Sequence, residues 1–144
     1  MCQHIQIFLP NRPGEFYKVA KLFGDNNINI IGYHLASQGD VCVLQLMCVP
    51  HDKAFCVARE QYRTYCSQRK VIVVRIANSP GQLFKILEVL SEKSFNIANS
   101  YQIGGKLNNA LVIIELLKED DFHICKNLLK NEGIDVLETV EDEV

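Results

Sequence analysis

Leu9-Pro10-Asn11-Arg12-Pro13-Gly14-Glu15-Phe16 is matched, 67 residues later (78 − 11 = 67), by Ile76-Ala77-Asn78-Ser79-Pro80-Gly81-Gln82-Leu83. In each stretch an apolar, alternating run ends at an Asn-x-Pro-Gly loop, and a run with helical spacing begins. Asn-Ile follows fifteen residues after each glycine, as Asn29-Ile30 and Asn96-Ile97. Laid over Ile72–Tyr101 without gaps, Ile5–His34 has seven identical pairs in thirty, three of them in the Asn-x-Pro-Gly loop. Self-similarity on this scale predicts two copies of one structural unit.

Working outward from the first loop, Ile5, Ile7 and Leu9 alternate as in a half-buried strand. Pro13 suits a helix start, where its missing N–H is no loss. Phe16, Val19, Ala20 and Phe23 recur at helical spacing, and Asn26-Asn27 stops the helix. Strands are expected over 28–37 and 41–49, joined by the tight turn Gln38-Gly39-Asp40. A second helix opens near Pro50-His51-Asp52, with Asp52 as its cap and Phe55, Ala58 and Tyr62 as its apolar stripe.

Only one strand-like run, Cys66–Ala77, separates this helix from the second loop. Two complete units need two strands there. The expectation is one long strand that closes the first unit and opens the second. The second unit then repeats the order: a helix with Leu83, Ile86, Leu87 and Leu90, strands over 95–104 and 109–117, and a helix capped by Asp120 or Asp121. That helix carries Phe122, Cys125, Leu128 and Leu129, ends at Gly133, and is followed by a last strand over 134–140. Laying Asp40–Val43 over Asn109–Val112 gives an offset of 69, which puts two extra residues in the second hairpin turn.

The fold class is therefore α+β: two ferredoxin-like βαββαβ modules, 1–68 and 69–144, each an antiparallel sheet with its helices on one face. Apolar residues occupy both faces of the third strands, interrupted by Gln45, so something is expected to cover the helix-free face. That cover would be the other module's sheet or a second subunit. His34 and Tyr101 align in the middle of strand two, either in the sheet or lining a pocket, and Glu115 is placed on the core side of its strand.

A net charge of −2 with no basic block gives no nucleic-acid footprint. No apolar run approaches the ~20 residues that span a bilayer, and Met1-Cys2-Gln3-His4 does not open a signal peptide, so a cytoplasmic protein is expected. The six cysteines (2, 42, 48, 56, 66 and 125) are scattered, without a CxxC, and read as thiols, not metal ligands. No nucleophile–base pair or paired carboxylate suggests an enzyme, and no cofactor is called for.

Two βαββαβ modules, each with Asn-x-Pro-Gly after its first strand and Asn-Ile at the start of its second, resemble a tandem pair of ACT domains over nearly the whole chain. The resemblance implies a free-standing regulatory protein that binds an amino acid, pairs as a homodimer and serves a partner enzyme of amino-acid metabolism. In that family ligands sit between the first loop of one domain and strand two of its neighbour. Carried over, the ligand residues are Asn11, Arg12, Pro13, Gly14, Glu15 and Phe16 in the first loop and Asn78, Ser79, Pro80, Gly81, Gln82 and Leu83 in the second. Asn29, Ile30, Asn96 and Ile97 would complete the sites from strand two.

The chemistry of those residue types fits. Backbone N–H groups at a helix start favour a carboxylate, glycine permits close approach, and an asparagine amide offers a donor and an acceptor to the two ends of a zwitterion. Asn11 and Asn78 are equally suited to capping their helices. Arg12 has no charged counterpart, because Ser79 stands in its place, so the two loops need not be equivalent. The alternative is a module that binds no small molecule and serves as a regulatory subunit or interaction surface of a biosynthetic enzyme.

Overall fold

A computed structural model of the chain describes residues 1–143. Its elements run β1 (Gln3–Pro10), α1 (Glu15–Asp25), β2 (Asn29–Gln38), β3 (Val41–Val49), α2 (His51–Tyr62) and β4 (Cys66–Lys70), then β5 (Ile72–Ala77), α3 (Gln82–Glu92), β6 (Ile97–Gly104), β7 (Asn109–Leu116), α4 (Phe122–Asn131) and β8 (Val136–Leu137). They form two four-stranded sheets of identical topology, ordered β2-β3-β1-β4 and β6-β7-β5-β8. The chain divides into two compact units, Gln3–Arg69 and a second that joins Met1–Cys2 to the chain from Lys70 onward. The fold is α+β, two ferredoxin-like modules with their helices against antiparallel sheets.

The run Cys66–Ala77 does serve both sheets, but not as one strand. It breaks at Val71 into β4 and β5, each in its own sheet. The Val71 N–H donates to Cys2 O at 3.1 Å, a pairing outside both ladders. The last strand is also shorter than expected. Only Val136 and Leu137 pair, with Val74 and Val73.

In the first unit Ile5, Ile7 and Leu9 of β1 and Leu44, Leu46 and Cys48 of β3 face Val19 and Phe23 of α1 and Ala54 and Ala58 of α2. The second unit repeats this with Ile72, Val74, Val112, Ile114, Ile86, Leu90, Phe122, Cys125 and Leu129. The helical stripes are narrower than the sequence suggests. Ala20, Leu83 and Leu87 are exposed, and the buried positions follow a strict i, i+4, i+8 row: Glu15, Val19, Phe23 in α1, and Gln82 (half-buried), Ile86, Leu90 in α3. One side chain per turn suffices where a short helix crosses a sheet already filled by branched residues.

Gln45 is buried on the helix-free face, where its Nε2 donates to Gln6 Oε1 at 3.1 Å and its Oε1 lies 3.2 Å from His34 Nδ1. A buried amide with partners on both neighbouring strands explains the polar break in an apolar run. Glu115 does not lie on the core side. It shares its face with Leu111 and Ile113, while Val112, Ile114 and Leu116 face the helices. The irregularity is in β6: the register shifts between Ile97 and Asn99, just as β2 shifts between Ile30 and Gly32. Ile31 and Ala98, 67 positions apart, are thus the same β-bulge.

The ladders also correct the turn insertion. Leu9 pairs with Cys42 and Ile76 with Ala110, so the offset on the third strands is 68 (110 − 42) and not 69. The second hairpin is longer by one residue. That residue is accommodated by left-handed backbone at Leu107 and Asn108, φ 53° and 61°, where the first turn needs only Gly39 at φ 67°. The same correction puts Gly104 and Ala110 in the places of Ser37 and Cys42.

Candidate functional site

The first loop leaves β1 at Pro10 and reaches α1 through Gly14, whose backbone is left-handed at φ 87°, ψ −8°. Gly81 does the same before α3 at φ 83°, ψ −5°. Neither helix start is capped by a side chain. Asn11 and Asn78 are therefore not N-caps. The expected caps on the other two helices are also absent: α2 follows Pro50 and α4 follows Asp121, neither with a side-chain cap bond, so Asp52 caps nothing.

Asn11 instead ties the end of β1 to the β2–β3 turn. Its backbone N–H donates to Asp40 O at 2.9 Å. Its side-chain Nδ2 donates to Ser37 Oγ at 2.6 Å and to Gly39 O at 2.8 Å, and its Oδ1 accepts from Cys42 Sγ at 3.2 Å. Both amide protons are committed, and one acceptor lone pair remains. Sequence reading did not foresee Ser37, Gly39 and Cys42 as partners. The signal was there, since a two-residue hairpin turn brings its rim beside the end of the strand two places over.

Glu15, the first residue of α1, is 7% exposed despite its charge. Its Oε1 accepts from Arg12 Nε at 2.7 Å and from Lys18 Nζ at 3.3 Å, and the Arg12 bond foremost holds its carboxyl below the usual range. A cavity of about 420 Å³ opens against this loop, walled by Leu9, Pro13, Phe16, Tyr17, Leu35 and Cys42. Phe16 meets Tyr33 edge-on, ring centres 5.1 Å apart.

The second loop keeps the backbone and changes the side chains. Asn78 N–H donates to Asn108 O at 3.1 Å, repeating the Asn11–Asp40 bond. Ser79 replaces Arg12 and Gln82 replaces Glu15, so the ion-pair cluster is gone. Gln82 N–H reaches Ser79 O at 3.5 Å, and Pro80 and Leu83 occupy the places of Pro13 and Phe16.

Asn29 and Asn96 stand at the opposite end of their hairpins. Asn29 pairs with Val49, and Asn96 O accepts from Leu117 N–H at 2.8 Å. Ser37, beside Asn11, lies eight residues further along β2, roughly 26 Å at strand rise. Within one unit the structure does not bring Asn11 and Asn29 together. Ile30 and Ile97 pack against the helix-side cores and precede the bulges.

Among the described residues no group of three or more His, Cys, Asp or Glu side chains is arranged to hold a metal ion, and no helix is long and apolar enough to cross a membrane.

With this geometry in hand, the comparisons with known proteins are direct. No curated protein matches. Among solved structures, protein BT0572 from Bacteroides thetaiotaomicron is similar at 26% identity and a TM-score of 0.82, over 94% of this chain and 91% of that one. The aspartokinase alpha and beta subunits match in fold at 15% identity and a TM-score of 0.61, over 91% of each chain. The ligand-free regulatory subunit of aspartate kinase from Thermus thermophilus does so at 12% and 0.61, over 90% of this chain and 91% of that one. The family model for a pair of ACT domains matches residues 1–138. Two copies of one βαββαβ unit, each with its glycine-turned loop at a bare helix start, place this chain in the ACT domain pair family.

Proposed function

We propose that this chain is a regulatory protein that binds a free amino acid at its Asn-x-Pro-Gly loops and passes the binding state to a partner enzyme of amino-acid metabolism. The observation that carries this reading is the loop built twice with one geometry. A left-handed glycine turns the chain into a helix whose first-turn N–H groups have no side-chain cap. Such a start is suited to a carboxylate. Arg12, Pro13, Glu15 and Phe16 in one loop, and Ser79, Pro80, Gln82 and Leu83 in the other, set the surroundings. Asn29 and Asn96 act from strand two of a neighbouring domain. The fold shared with aspartate kinase regulatory subunits supports a controlling role over a catalytic one.

The protein works in the cytoplasm as a homodimer, and ligand shifts its arrangement by binding one state better than another. Thermal unfolding against each of the twenty amino acids at millimolar concentration tests the reading. A ligand at 100 times its Kd stabilises by about 2.7 kcal/mol, which moves Tm by a few degrees. No shift with any amino acid overturns it.

A second reading rests on α3, where Leu83, Phe84 and Leu87 are 42%, 65% and 40% exposed on adjoining turns. Apolar groups so placed suit a protein partner. Under that reading the chain binds no amino acid, and Leu87→Glu abolishes partner capture without altering the fold.

A further inference from the structure

The two loops share a backbone but differ in how their polar groups are satisfied. In the first, every polar group that the ligand reading would use already has an internal partner. Both Asn11 amide protons go to Ser37 Oγ and Gly39 O, and the Cys42 thiol donates to its Oδ1. The anion at the start of α1 is the chain's own Glu15, held by Arg12 and Lys18. A ligand carboxylate arriving there meets a fixed like charge.

In the second loop these internal partners are absent. Gly104 and Ala110 replace Ser37 and Cys42 and have no side-chain polar atom to offer Asn78. Among the described residues the Asn78 side chain makes no hydrogen bond. Gln82 replaces Glu15, so the start of α3 has no carboxylate, and Lys85 still stands one turn on.

We infer that the copies have divided the labour: Asn78 receives the ligand, a free α-amino acid zwitterion, while Asn11 holds its own loop together. The inference rests on the amino-acid-binding reading above and narrows it to one receptor loop per chain. At Asn78 the Nδ2 protons serve the ligand carboxylate and Oδ1 accepts from its ammonium. The ligand thereby supplies what Ser37 and Cys42 supply in the first copy.

The test installs the first copy's lock in the second. A Cβ added at Gly104 meets nothing within 4 Å and its backbone is not left-handed, so serine fits there. Thermal scans with the twenty amino acids are run on the wild type, Gly104→Ser/Ala110→Cys, Asn78→Ala and Asn11→Ala. Expected is a ligand-induced shift of a few degrees in the wild type. That shift is lost in the double variant and in Asn78→Ala, and their unliganded Tm stays within a few degrees of the wild type. Asn11→Ala lowers the unliganded Tm and keeps the shift. Calorimetry with the responding amino acid gives one site per chain.

Loss of the shift in Asn11→Ala with its retention in Asn78→Ala overturns the inference and leaves the amino-acid reading intact. So does full binding by the double variant, which remains informative if Asn11→Ala fails to fold. Absence of any shift in the wild type overturns both.

Discussion

Gly14 and Gly81, 67 positions apart, hold one backbone conformation, with φ differing by 4° (87° and 83°) and ψ by 3° (−8° and −5°). Neither has a heavy atom within 4 Å of where a Cβ would sit. The requirement for glycine there is one of backbone and not of space.

Gly14→Ala and Gly81→Ala should therefore each destabilise by about 1–2 kcal/mol, the cost of left-handed backbone for an L side chain. Urea denaturation measures it. Equal losses at both positions would show that the loops are alike in backbone while differing in side-chain chemistry.

Ala54 and Ala58 of α2 have no exposed surface. They let the helix lie close on β1 and β3. Ala58→Leu adds volume where none is free and should cost about 1–3 kcal/mol. Ala→Gly at the same position tests helix propensity alone and should cost about 1 kcal/mol. A leucine variant as stable as the wild type would show a looser contact than the structure has.

Glu138 accepts from Lys126 Nζ and Lys130 Nζ, each at 2.6 Å, and the Lys126 bond foremost lowers its carboxyl to about 2. A folded-state value below the ordinary 4.5 means stability present above that pH and lost as pH falls from about 4.5 towards 2. The side chain is 56% exposed, so screening keeps the contribution under about 1 kcal/mol. Glu138→Gln should flatten the stability profile across that window and leave it unchanged near pH 7 in slope.

Burial raises the thiol of Cys48 to about 12 and those of Cys66 and Cys125 to about 11, while Cys56 is exposed. Only the thiolate alkylates. Iodoacetamide at pH 8 should modify Cys56 first, with Cys48, Cys66 and Cys125 reacting only on unfolding. Peptide mass spectrometry reads the order directly.

The repeat and the element order were legible because each copy marks its helix start with Pro-Gly and its strands with alternation. The bulges at Ile31 and Ala98 were not, since a bulge changes how two strands count against each other and leaves no composition of its own. The offset of 69 failed for the same reason: Asp40–Val43 and Asn109–Val112 look alike as apolar runs, and only the pairing of Leu9 with Cys42 and Ile76 with Ala110 distinguishes 68. At the site, the loop residues could be named but not their partners. Ser37 and Cys42 lie more than twenty residues from Asn11 and become its neighbours only when the sheet forms.

The two-residue length of β8 has a consequence for how the protein keeps to itself at high concentration. Pairing ends at Val74, so the outer edge of β5 from Arg75 to Ala77 has no strand beside it. A bare edge templates addition of a strand from another chain. Here Arg75, bonded to Asp135 and Glu143, sets a guanidinium and two carboxylates at that edge. An incoming strand would have to strip water from all three, so the shortest strand of the fold is also where charge guards against aggregation.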